Sequence, residues 1–282
     1  MKKLGVVFPG QGSQKVGMGK ELVDQHPQVK ALFEKTSSVL GRDFAKLCFE
    51  GPDDELVKTF NAQPAIFLIS VAMMTAQGLT PACVAGHSLG EITAYYAAGV
   101  LDFEQALRVI DARGRAMAES FPSEKSAMAA VIGLEADVIQ SALPNSVVIA
   151  NYNCPGQIVI SGEKEGVLKA SEALKTKGGR VIPLPVSGAF HSPLMKNASE
   201  ALAQFLEPMT FADAKIPVIL NRTGQPEHNG ATLKANLPQQ VVSSVQWIKS
   251  METMSKMTEE IVECGPGKVL TGLNRKILEV RV

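Results

Sequence analysis

The residues with the clearest chemical potential in this chain form the pentapeptide Gly86-His87-Ser88-Leu89-Gly90. A short apolar run from Cys83 to Ala85 precedes it, and a helix-like segment follows. This order is typical of a nucleophile elbow, because the two glycines allow a strand-to-helix turn that is too tight for neighbouring Cβ atoms. The turn presents the Ser88 hydroxyl at the positive end of the next helix, where a developing oxyanion is stabilised. We therefore predict that Ser88 is a nucleophile; the alternative is a glycine-rich turn that happens to hold a serine.

A serine nucleophile needs a base within hydrogen-bonding reach, and histidine is the usual one. His87 adjoins Ser88, and consecutive side chains of an extended segment diverge, so it is a poor base. His26 and His228 lie in polar stretches typical of the surface. His191 follows a strand-like segment and comes after Ser88, the order that elbow enzymes show, so elimination favours it as the base. The alternative for His191 is a loop residue that caps the next helix.

No third member of a catalytic triad is evident. Helix starts and polar helix faces account for the aspartates between Ser88 and His191, namely Asp102, Asp111 and Asp137. The pattern favours a Ser-His dyad whose imidazole is oriented by a backbone carbonyl. Near the first strand, the glycines of Gly10-Gln11-Gly12 allow backbone N–H groups to approach a ligand closely.

One helix-like segment carries a positive charge on its apolar side. Asp102 is a good N-cap, with Gln105 three residues later. At 100° per residue, the apolar side chains of this segment fall on one arc, and Arg113 lies in its middle. A buried guanidinium needs an anionic partner, because its burial alone is costly. Periodicity does not distinguish a structural ion pair or a side chain that reaches solvent from a functional role.

The composition is that of a globular protein without a strong overall charge. The 282 residues are 45 % hydrophobic and include 28 basic and 28 acidic side chains, so no global field recruits nucleic acid or a membrane. The four cysteines lie far apart, which predicts buried free thiols and no metal site. The apolar stretch at 4–8 is too short for a secretory signal, and the run at 64–74 is far short of a membrane span. We expect a soluble cytoplasmic protein.

The order of elements indicates an α/β fold with two units. Short apolar strands alternate with helices at the start and again near the end of the chain, which predicts a mainly parallel sheet covered on both faces. Between them, the predicted order is β-α-β-β-α-β, the ferredoxin-like arrangement. We expect a large α/β-hydrolase-like domain at 1–123 and 188–282, and a small inserted ferredoxin-like α+β domain at 124–187, with a cleft between them.

Individual elements are also predicted. A helix is expected from Pro64 to about Ala76, with the proline in its first turn. Strands are expected at 4–8, 82–86, 127–132, 146–151, 157–161, 180–186, 216–220 and 260–264, and helices to about Ala98, near 135–142, at 164–177, at 193–206, within 232–257 and at the end of the chain.

Several motifs together resemble the acyltransferase family that contains malonyl-CoA:acyl carrier protein transacylases and the acyltransferase domains of polyketide synthases. They run in the same order from about residue 4 to residue 277. Besides the pentapeptide and the helix with Arg113, they are Phe8-Pro9-Gly10-Gln11-Gly12-Ser13-Gln14, Asn153-Cys154-Pro155-Gly156-Gln157, Gly188-Ala189-Phe190-His191, Val245-Gln246-Trp247, and Glu263-Cys264-Gly265-Pro266-Gly267-Lys268-Val269-Leu270.

The resemblance implies a ping-pong transfer that supplies malonyl-ACP for fatty-acid synthesis. Ser88 would attack malonyl-CoA with His191 as base, and the phosphopantetheine thiol of acyl carrier protein would then take the malonyl group. No cofactor is implied beyond the phosphopantetheine that this partner carries. The resemblance places oxyanion donors at the backbone N–H groups of Gln11 and Leu89, and an orienting backbone carbonyl near Gln246.

The resemblance also implies how the acyl group is selected. Arg113 would pair with the malonyl carboxylate, a task that suits the bidentate guanidinium better than lysine. Phe190 would limit space at the α-carbon, although Gly188 stands where polyketide domains often have histidine. Asn151 and Asn153 would line the cleft; the alternative is that they form turns.

Two other functions are compatible with parts of the sequence. A serine esterase or thioesterase would need an acid in Ser-Asp-His order and an apolar acyl pocket without arginine. A non-catalytic subunit that docks acyl carrier protein would not need an intact elbow, base and oxyanion loop. The expected partners are malonyl-CoA and acyl carrier protein, without nucleic acid or membrane, and we expect a monomer.

Overall fold

The fold was analysed from a computed structural model that describes residues 3–186 and 188–279. The predicted domain limits at residues 1, 187 and 282 lie outside this part of the chain. The strands are β1 (Leu4–Phe8), β2 (Cys83–Gly86), β3 (Ser126–Ile132), β4 (Val147–Cys154), β5 (Gln157–Glu163), β6 (Arg180–Pro183), β7 (Val218–Ile219), β8 (Pro226–Glu227) and β9 (Glu260–Glu263).

The helices surround these strands in both halves of the chain. They are α1 (Lys20–Gln25), α2 (Pro27–Leu40), α3 (Phe44–Glu50), α4 (Asp53–Leu56), α5 (Thr59–Gln77), α6 (Gly90–Ala97), α7 (Phe103–Glu119), α8 (Ala136–Gln140), α9 (Lys164–Thr176), α10 (Lys196–Leu206), α11 (Gly230–Gln240), α12 (Trp247–Met257) and α13 (Val269–Glu279).

The first sheet is mainly parallel, as predicted. Its order is β8-β7-β2-β1-β9, and only the β7–β8 pair in it is antiparallel. β1 and β2 consist almost entirely of buried apolar residues, as expected for strands covered on both faces. The register pairs Phe8 with Gly86. The carboxyl ends of β1 and β2 therefore lie side by side, which brings the loop after Phe8 next to the pentapeptide around Ser88.

The second sheet is antiparallel. The predicted order of elements is present between β3 and β6, and the strands lie in the order β4-β5-β3-β6. One face of this sheet packs on α9 around its own cluster of buried residues, which includes Val131, Ile160 and Leu174. Strand β4 also meets the chain before α12, because Val245 donates to Ala150 O and accepts from Tyr152 N. This contact joins the second sheet to the rest of the fold beside the site.

The start of α5 differs from the prediction. The helix begins at Thr59, so Pro64 lies inside it rather than in its first turn. A proline inside a helix leaves the carbonyl four residues earlier without its usual donor. Here Arg42 Nη1 donates to that carbonyl, Phe60 O, at 3.0 Å, which replaces the missing bond. This long-range compensation is not visible in the local sequence.

By length and composition, α5 would also suffice to cross a membrane, and among the described residues it is the one such helix. Within the fold it is a core helix, with 72 % of its most apolar stretch buried, and it packs against α2 and α7. This burial explains why it is apolar on all sides.

The capping signal of α7 is confirmed. Asp102 Oδ1 accepts a hydrogen bond from Gln105 N at 2.8 Å, and Gln105 Oε1 accepts one from Asp102 N at 3.0 Å. With the helix starting at this cap, its apolar side faces the interior. Arg113 lies on that side and is 1 % exposed. The helix thus delivers a guanidinium to the interior of the molecule.

Candidate active site

The pentapeptide forms a tight turn between β2 and α6. An added Cβ on Gly86 would lie 1.9 Å from the backbone of Gly90, and one on Gly90 would lie 2.1 Å from Phe8 O. Neither position has room for a side chain. Ser88, at the apex, has φ 54°, a left-handed conformation that L-residues seldom adopt. The turn therefore has the geometry that the sequence predicted for a nucleophile elbow.

His191 lies directly against this serine. The distance between Ser88 Oγ and His191 Nε2 is 2.7 Å. On the other side of the ring, Nδ1 is 3.1 Å from both Gln240 O and Ser243 O. Carbonyl oxygens only accept hydrogen bonds, so this network assigns the ring proton to Nδ1 and leaves the Nε2 lone pair facing the hydroxyl. The pair has the arrangement that a serine nucleophile and its base require.

The prediction that a backbone carbonyl near Gln246 orients the imidazole of His191 is wrong. The carbonyls that orient His191 belong to Gln240 and Ser243, at and just after the end of α11. Gln246 instead starts α12: its N–H donates to Asn221 O at 2.7 Å, and its carbonyl accepts from Ser250 N. The segment around His191 packs against the end of α11, where the last carbonyls of a helix lack helical donors and can accept from a side chain.

His191 is held in an unusual state by its surroundings. Its φ is 56°, and it shares this left-handed conformation with Ser88 alone among the non-glycine residues described. The side chain is buried. Burial, together with the positive charge of Arg113, lowers the pKa of His191 from its ordinary 6.5 to about 3. The imidazole is therefore neutral, and able to accept a proton, throughout the physiological pH range.

No carboxylate among the described residues contacts His191. Asp102 caps α7, and Asp137 lies in the first turn of α8. Asp111 pairs with Arg42 and with Arg115. The three aspartates between the serine and the histidine thus have other roles, in agreement with a dyad.

Arg113 approaches the same hydroxyl from the side of α7. Its Nη2 donates to Ser88 Oγ at 3.1 Å and to Gln240 Oε1 at 2.8 Å, and its Nη1 donates to Gln63 Oε1 at 2.9 Å. Its Nε is buried without a hydrogen-bond partner. Burial lowers the pKa of Arg113 to about 10, so the group stays charged at neutral pH.

Both structural explanations for Arg113 are wrong. The side chain does not reach solvent, since it is 1 % exposed. It forms no ion pair within residues 3–186 and 188–279, and its acceptors are neutral amide and hydroxyl oxygens. The buried Glu91 carboxylate acts on Arg113 only from a longer distance. A buried cation whose hydrogen-bond acceptors are all neutral is suited to receive an anion from outside the chain.

Gln63 and Gln240 were missed in the sequence. Gln63 lies near the start of α5, and its amide also contacts Gln11 Oε1 at 3.5 Å. Gln240 is fully buried, and its Nε2 donates to Ser88 O at 2.9 Å. Gln63 carries a detectable signal, since it is an uncharged polar residue within an apolar helical run. Gln240 carries none, because its role depends on how α11 packs against α7.

Two backbone N–H groups of the elbow and the loop beside it are not used elsewhere in the described part of the chain. The loop after β1 touches the elbow so closely that a Cβ on Gly10 would lie 2.5 Å from His87 O. The N–H groups of Gln11, in this loop, and of Leu89, after the nucleophile, have no acceptor among the described residues. The N–H of Ser88 differs, because it donates to Asn221 Oδ1 at 2.7 Å.

A cavity of about 260 Å³ opens in front of Ser88 and His191. Its lining includes residues of the loops after β1 and β2 and residues of β3, β4 and β5. Apolar side chains form much of its wall, among them Met117, Met128, Val159, Leu184, Val186 and Phe190.

Asn151 and Asn153 also border this cavity. Both are buried in β4, so the alternative that they form turns is wrong. Asn153 Oδ1 lies 2.9 Å from His87 Nε2, and His87 is half-buried beside Trp247 with 5.4 Å between ring centroids. This contact ties the second sheet to the elbow.

The chain offers no metal site in its described part, where no group of three or more His, Cys, Asp or Glu side chains could hold an ion. The four cysteines are free and buried, as predicted. Burial raises the pKa of Cys83 to about 11 and those of Cys48 and Cys264 to about 12. These thiols are therefore protonated at neutral pH and are poor nucleophiles.

Comparisons with known proteins find similar sequences and structures over nearly the whole chain. The family model described as "Acyl transferase domain" matches residues 6–271. The malonyl CoA-acyl carrier protein transacylase of Bacillus subtilis is 43 % identical over 288 aligned positions, which cover 98 % of this chain and 91 % of that protein. The protein of the same name from Escherichia coli is 43 % identical over 290 positions, covering 99 % and 94 %.

Solved structures give the same result. A malonyl-transacylase in complex with its type II PKS acyl-carrier protein is similar with a TM-score of 0.95 and 39 % sequence identity. The match covers 98 % of this chain and 93 % of that one. The range 6–271 contains every residue of the site described above.

Proposed function

Because the chain belongs to the acyl transferase domain family, we propose malonyl transfer as its function. The enzyme moves the malonyl group from malonyl-CoA to the phosphopantetheine thiol of acyl carrier protein and so supplies malonyl-ACP for fatty-acid synthesis. The relatives named for this reaction align with nearly the whole chain, and a solved relative is bound to its acyl-carrier protein.

One observation carries the choice of acyl group. The Arg113 guanidinium is buried, forms no direct ion pair in the described chain and lies 3.1 Å from Ser88 Oγ; the buried Glu91 carboxylate acts on it only from a longer distance. A malonyl group on this oxygen ends in a carboxylate only two carbons beyond the carbonyl carbon. In the proposal, this carboxylate accepts hydrogen bonds from Arg113 N–H groups that donate to neutral oxygens in the free enzyme. The new hydrogen bonds are charge-assisted and lie in a site shielded from water.

In the first half-reaction, Ser88 Oγ attacks the thioester carbonyl of malonyl-CoA. His191 Nε2 takes the hydroxyl proton as the new C–O bond forms. The C–S bond then breaks, the proton passes from His191 to the CoA sulfur, and free CoA leaves. Ser88 retains the malonyl group as an ester.

In the second half-reaction, the phosphopantetheine thiol of acyl carrier protein attacks this ester. His191 withdraws the thiol proton and then returns it to Ser88 Oγ as the ester bond breaks. The carbonyls of Gln240 and Ser243 stabilise the charged imidazole in both halves, through the Nδ1 proton. They thus act where an aspartate acts in a triad.

The oxyanion of each tetrahedral intermediate is stabilised by the N–H groups of Gln11 and Leu89. Their freedom from other acceptors supports this assignment, as does the position of Leu89 at the N-terminus of α6. Phe190 limits space at the acyl α-carbon, and Asn151 and Asn153 line the cleft.

The proposal includes a finer description of the molecule. The parallel sheet and its helices form an α/β-hydrolase-like unit at 1–123 and 188–282, and the antiparallel sheet at 124–187 is a ferredoxin-like insertion; the strand order β4-β5-β3-β6 supports the latter. The enzyme is a cytoplasmic monomer that acts on its two thioester partners, with no nucleic acid or membrane, and it needs no cofactor of its own because the thioester already activates the acyl group.

A hydrolase of uncharged acyl esters fits the site less well. Its acyl pocket would leave the charge of Arg113 buried and unpaired in every complex, which is unfavourable. Without an acid beside His191, the site also departs from the Ser-Asp-His pattern of those enzymes.

The direct test is malonyl transfer to phosphopantetheinylated acyl carrier protein. We expect the purified protein to convert the carrier to its malonyl form when malonyl-CoA is supplied, and Ser88→Ala to lack this activity. The mass of the acyl carrier protein after the reaction shows whether it carries the malonyl group. Release of free malonate in place of malonyl carrier would contradict the proposal and support a hydrolase.

A further inference from the structure

The strained elbow is held by a side chain from a neighbouring strand. Asn221 follows β7, which lies next to β2 in the sheet. Its Oδ1 accepts from Ser88 N at 2.7 Å, and its Nδ2 donates to Gly86 O at 2.6 Å. One amide thus bridges the backbone on either side of His87. Both bonds are oriented, since one end of the amide must accept and the other must donate.

Asn221 is itself fixed by a buried carboxylate. Its backbone N–H donates to Glu91 Oε2 at 2.5 Å, and both residues are fully buried. The second carboxylate oxygen, Oε1, accepts from Asn236 Nδ2 at 2.7 Å and from the Tyr95 hydroxyl at 3.3 Å. In each of these three hydrogen bonds, a donor points at a carboxylate oxygen of Glu91. Glu91 lies in the first turn of α6, three residues after the nucleophile.

This arrangement determines which backbone N–H group beside the nucleophile can contact the substrate. Because Ser88 N–H is engaged by Asn221, only the next N–H, that of Leu89, is free to face the substrate. The same bond helps to retain the positive φ of Ser88, which a serine does not favour. With φ retained, Oγ stays 2.7 Å from His191 Nε2 and 3.1 Å from Arg113 Nη2.

We propose that Asn221, anchored by Glu91, is a positioning residue that holds the elbow so that Ser88 Oγ and Leu89 N–H are aligned for acylation. This inference rests on the proposed function, because acylation of Ser88 is the step that it concerns. Asn221 and Glu91 do not line the cavity. Their effect therefore falls on the rate of the chemical step and not on the affinity for the thioester.

Asn221→Asp tests the proposal with almost no change in shape. The ionised carboxylate still accepts from Ser88 N–H, but it cannot donate to Gly86 O and repels it. We expect the single-turnover rate of acylation by malonyl-CoA to fall about 100-fold at pH 8, with the KM of malonyl-CoA within about threefold of wild type because Arg113 and the cavity are intact.

Lowering the pH should reverse much of this loss. Once the introduced carboxyl group is protonated, it can again donate to Gly86 O, so the ratio of variant rate to wild-type rate should rise about tenfold between pH 8 and pH 5.5. Of the groups around the site, Glu91 titrates in this range in both proteins, because burial raises its pKa to about 7. The pKa values of His191, at about 3, and of Arg113, at about 10, lie outside the range; burial raises the pKa of Tyr95 further above its ordinary value and lowers that of His87. For this reason the ratio, and not the rate alone, is the readout.

Asn229→Asp is the matched control. Asn229 also uses its side chain at the start of a helix, but only as an acceptor, from Thr232 N and Oγ1. Aspartate can accept in the same way, so this ratio should stay near one at each pH. A ratio near one at pH 8 for Asn221→Asp, or a loss that does not change with pH, would overturn the proposal.

Circular dichroism at pH 8 shows whether Asn221→Asp is folded. If it is not, Glu91→Gln decides instead: the amide brings a donor into a pocket of donors, and we expect about a tenfold lower acylation rate with unchanged KM. A wild-type rate would overturn the inference. The rate at which a sulfonyl fluoride labels Ser88 measures the reactivity of the elbow without malonyl-CoA. In the variants this labelling should slow in parallel with acylation, so the inference remains testable if the proposed function fails.

Discussion

Arg113 joins the chemistry of the site to its selectivity. Its guanidinium has three neutral acceptors, one of which is the nucleophile itself. A neutral acyl group on Ser88 gives this charge no new partner, whereas a malonyl group gives it a carboxylate. Discrimination between malonyl and acetyl thioesters is therefore expected to depend on this one residue.

Arg113→Ala should reverse that preference. Removing one partner of a buried charge pair costs about 2–5 kcal/mol, so the rate of malonyl acylation should fall roughly 100-fold. Some acetyl acylation should persist, because no buried charge is left unpaired when an acetyl group binds. Quenched single-turnover reactions with each thioester measure both rates.

Arg108→Ala is the control for this change. Arg108 lies on the same helix but is exposed and pairs with Glu104, so both rates should stay within about twofold of wild type. Equal loss of malonyl and acetyl acylation in Arg113→Ala, together with unfolding, would point to a structural role.

The low pKa of His191 predicts the pH profile of acylation. The base is neutral above its folded pKa of about 3, so protonation of His191 should not reduce the rate between pH 8 and pH 5. An exposed histidine would lose its lone pair below about 6.5. Rapid-quench acylation across this range provides the test; a tenfold loss per pH unit below 6.5 would show that the imidazole is more solvated than the structure indicates.

At the scale of elements, the elbow depends on the absence of two side chains. Gly90 has no room for a Cβ, since Phe8 O lies 2.1 Å from the place it would occupy. We expect Gly90→Ala to destabilise the fold by about 2 kcal/mol or more, because either β1 or α6 must move. Urea denaturation followed by circular dichroism measures the change.

Gly272→Ala should have the opposite sign. Gly272 lies within α13, and a Cβ there would meet nothing within 4 Å. Alanine favours a helix over glycine by about 0.8–1 kcal/mol, so this variant should be slightly more stable than wild type. If Gly90→Ala and Gly272→Ala changed the free energy of unfolding in the same direction and by similar amounts, close packing would not be the reason for glycine at position 90.

The elements also show what local sequence can and cannot reveal. Ser88, His191 and Arg113 were accessible because a turn motif, chain order and helical periodicity each leave a local signal. Gln240 and Asn221 left none, since they meet the nucleophile only after distant strands and helices pack together. Gln246 illustrates the same limit, because an orienting carbonyl was expected but assigned to the wrong helix end.

Several elements were missed for a related reason. Helices α1, α3 and α4 are seven residues or fewer, too short to show clear periodicity. Strand β7 has two residues where five were expected, and β6 has four where seven were expected. Helix α2 was also missed, although it has 14 residues. Among the predicted elements, β1, β5 and α9 agree closely with their expected bounds.

At the scale of the whole molecule, the two sheets share an apolar cluster next to the site. Cys154, at the end of β4, packs in the same cluster as Cys83 of β2 and Trp247 of α12. The second sheet is therefore not expected to open on its own. We expect this shared packing to keep the walls of the cavity in place relative to the nucleophile.

Thiol labelling tests this attachment. All four cysteines are buried, so a maleimide should label the native protein slowly and label every cysteine in the same urea range, when the fold opens as a unit. Mass spectrometry of digested samples assigns each site. Labelling of Cys154 at low urea, while Cys83 stays protected, would show that the second sheet separates first.

The central claim is that Ser88 and Arg113 act together on one malonyl group, and intact mass measures this most directly. The wild-type protein is mixed with equal concentrations of malonyl-CoA and acetyl-CoA, without an acceptor, and the adduct is mapped after digestion. We predict a malonyl adduct on Ser88, with far less acetyl adduct at the same position. Equal amounts of the two adducts, or a malonyl group that forms equally in Ser88→Ala, would contradict the account.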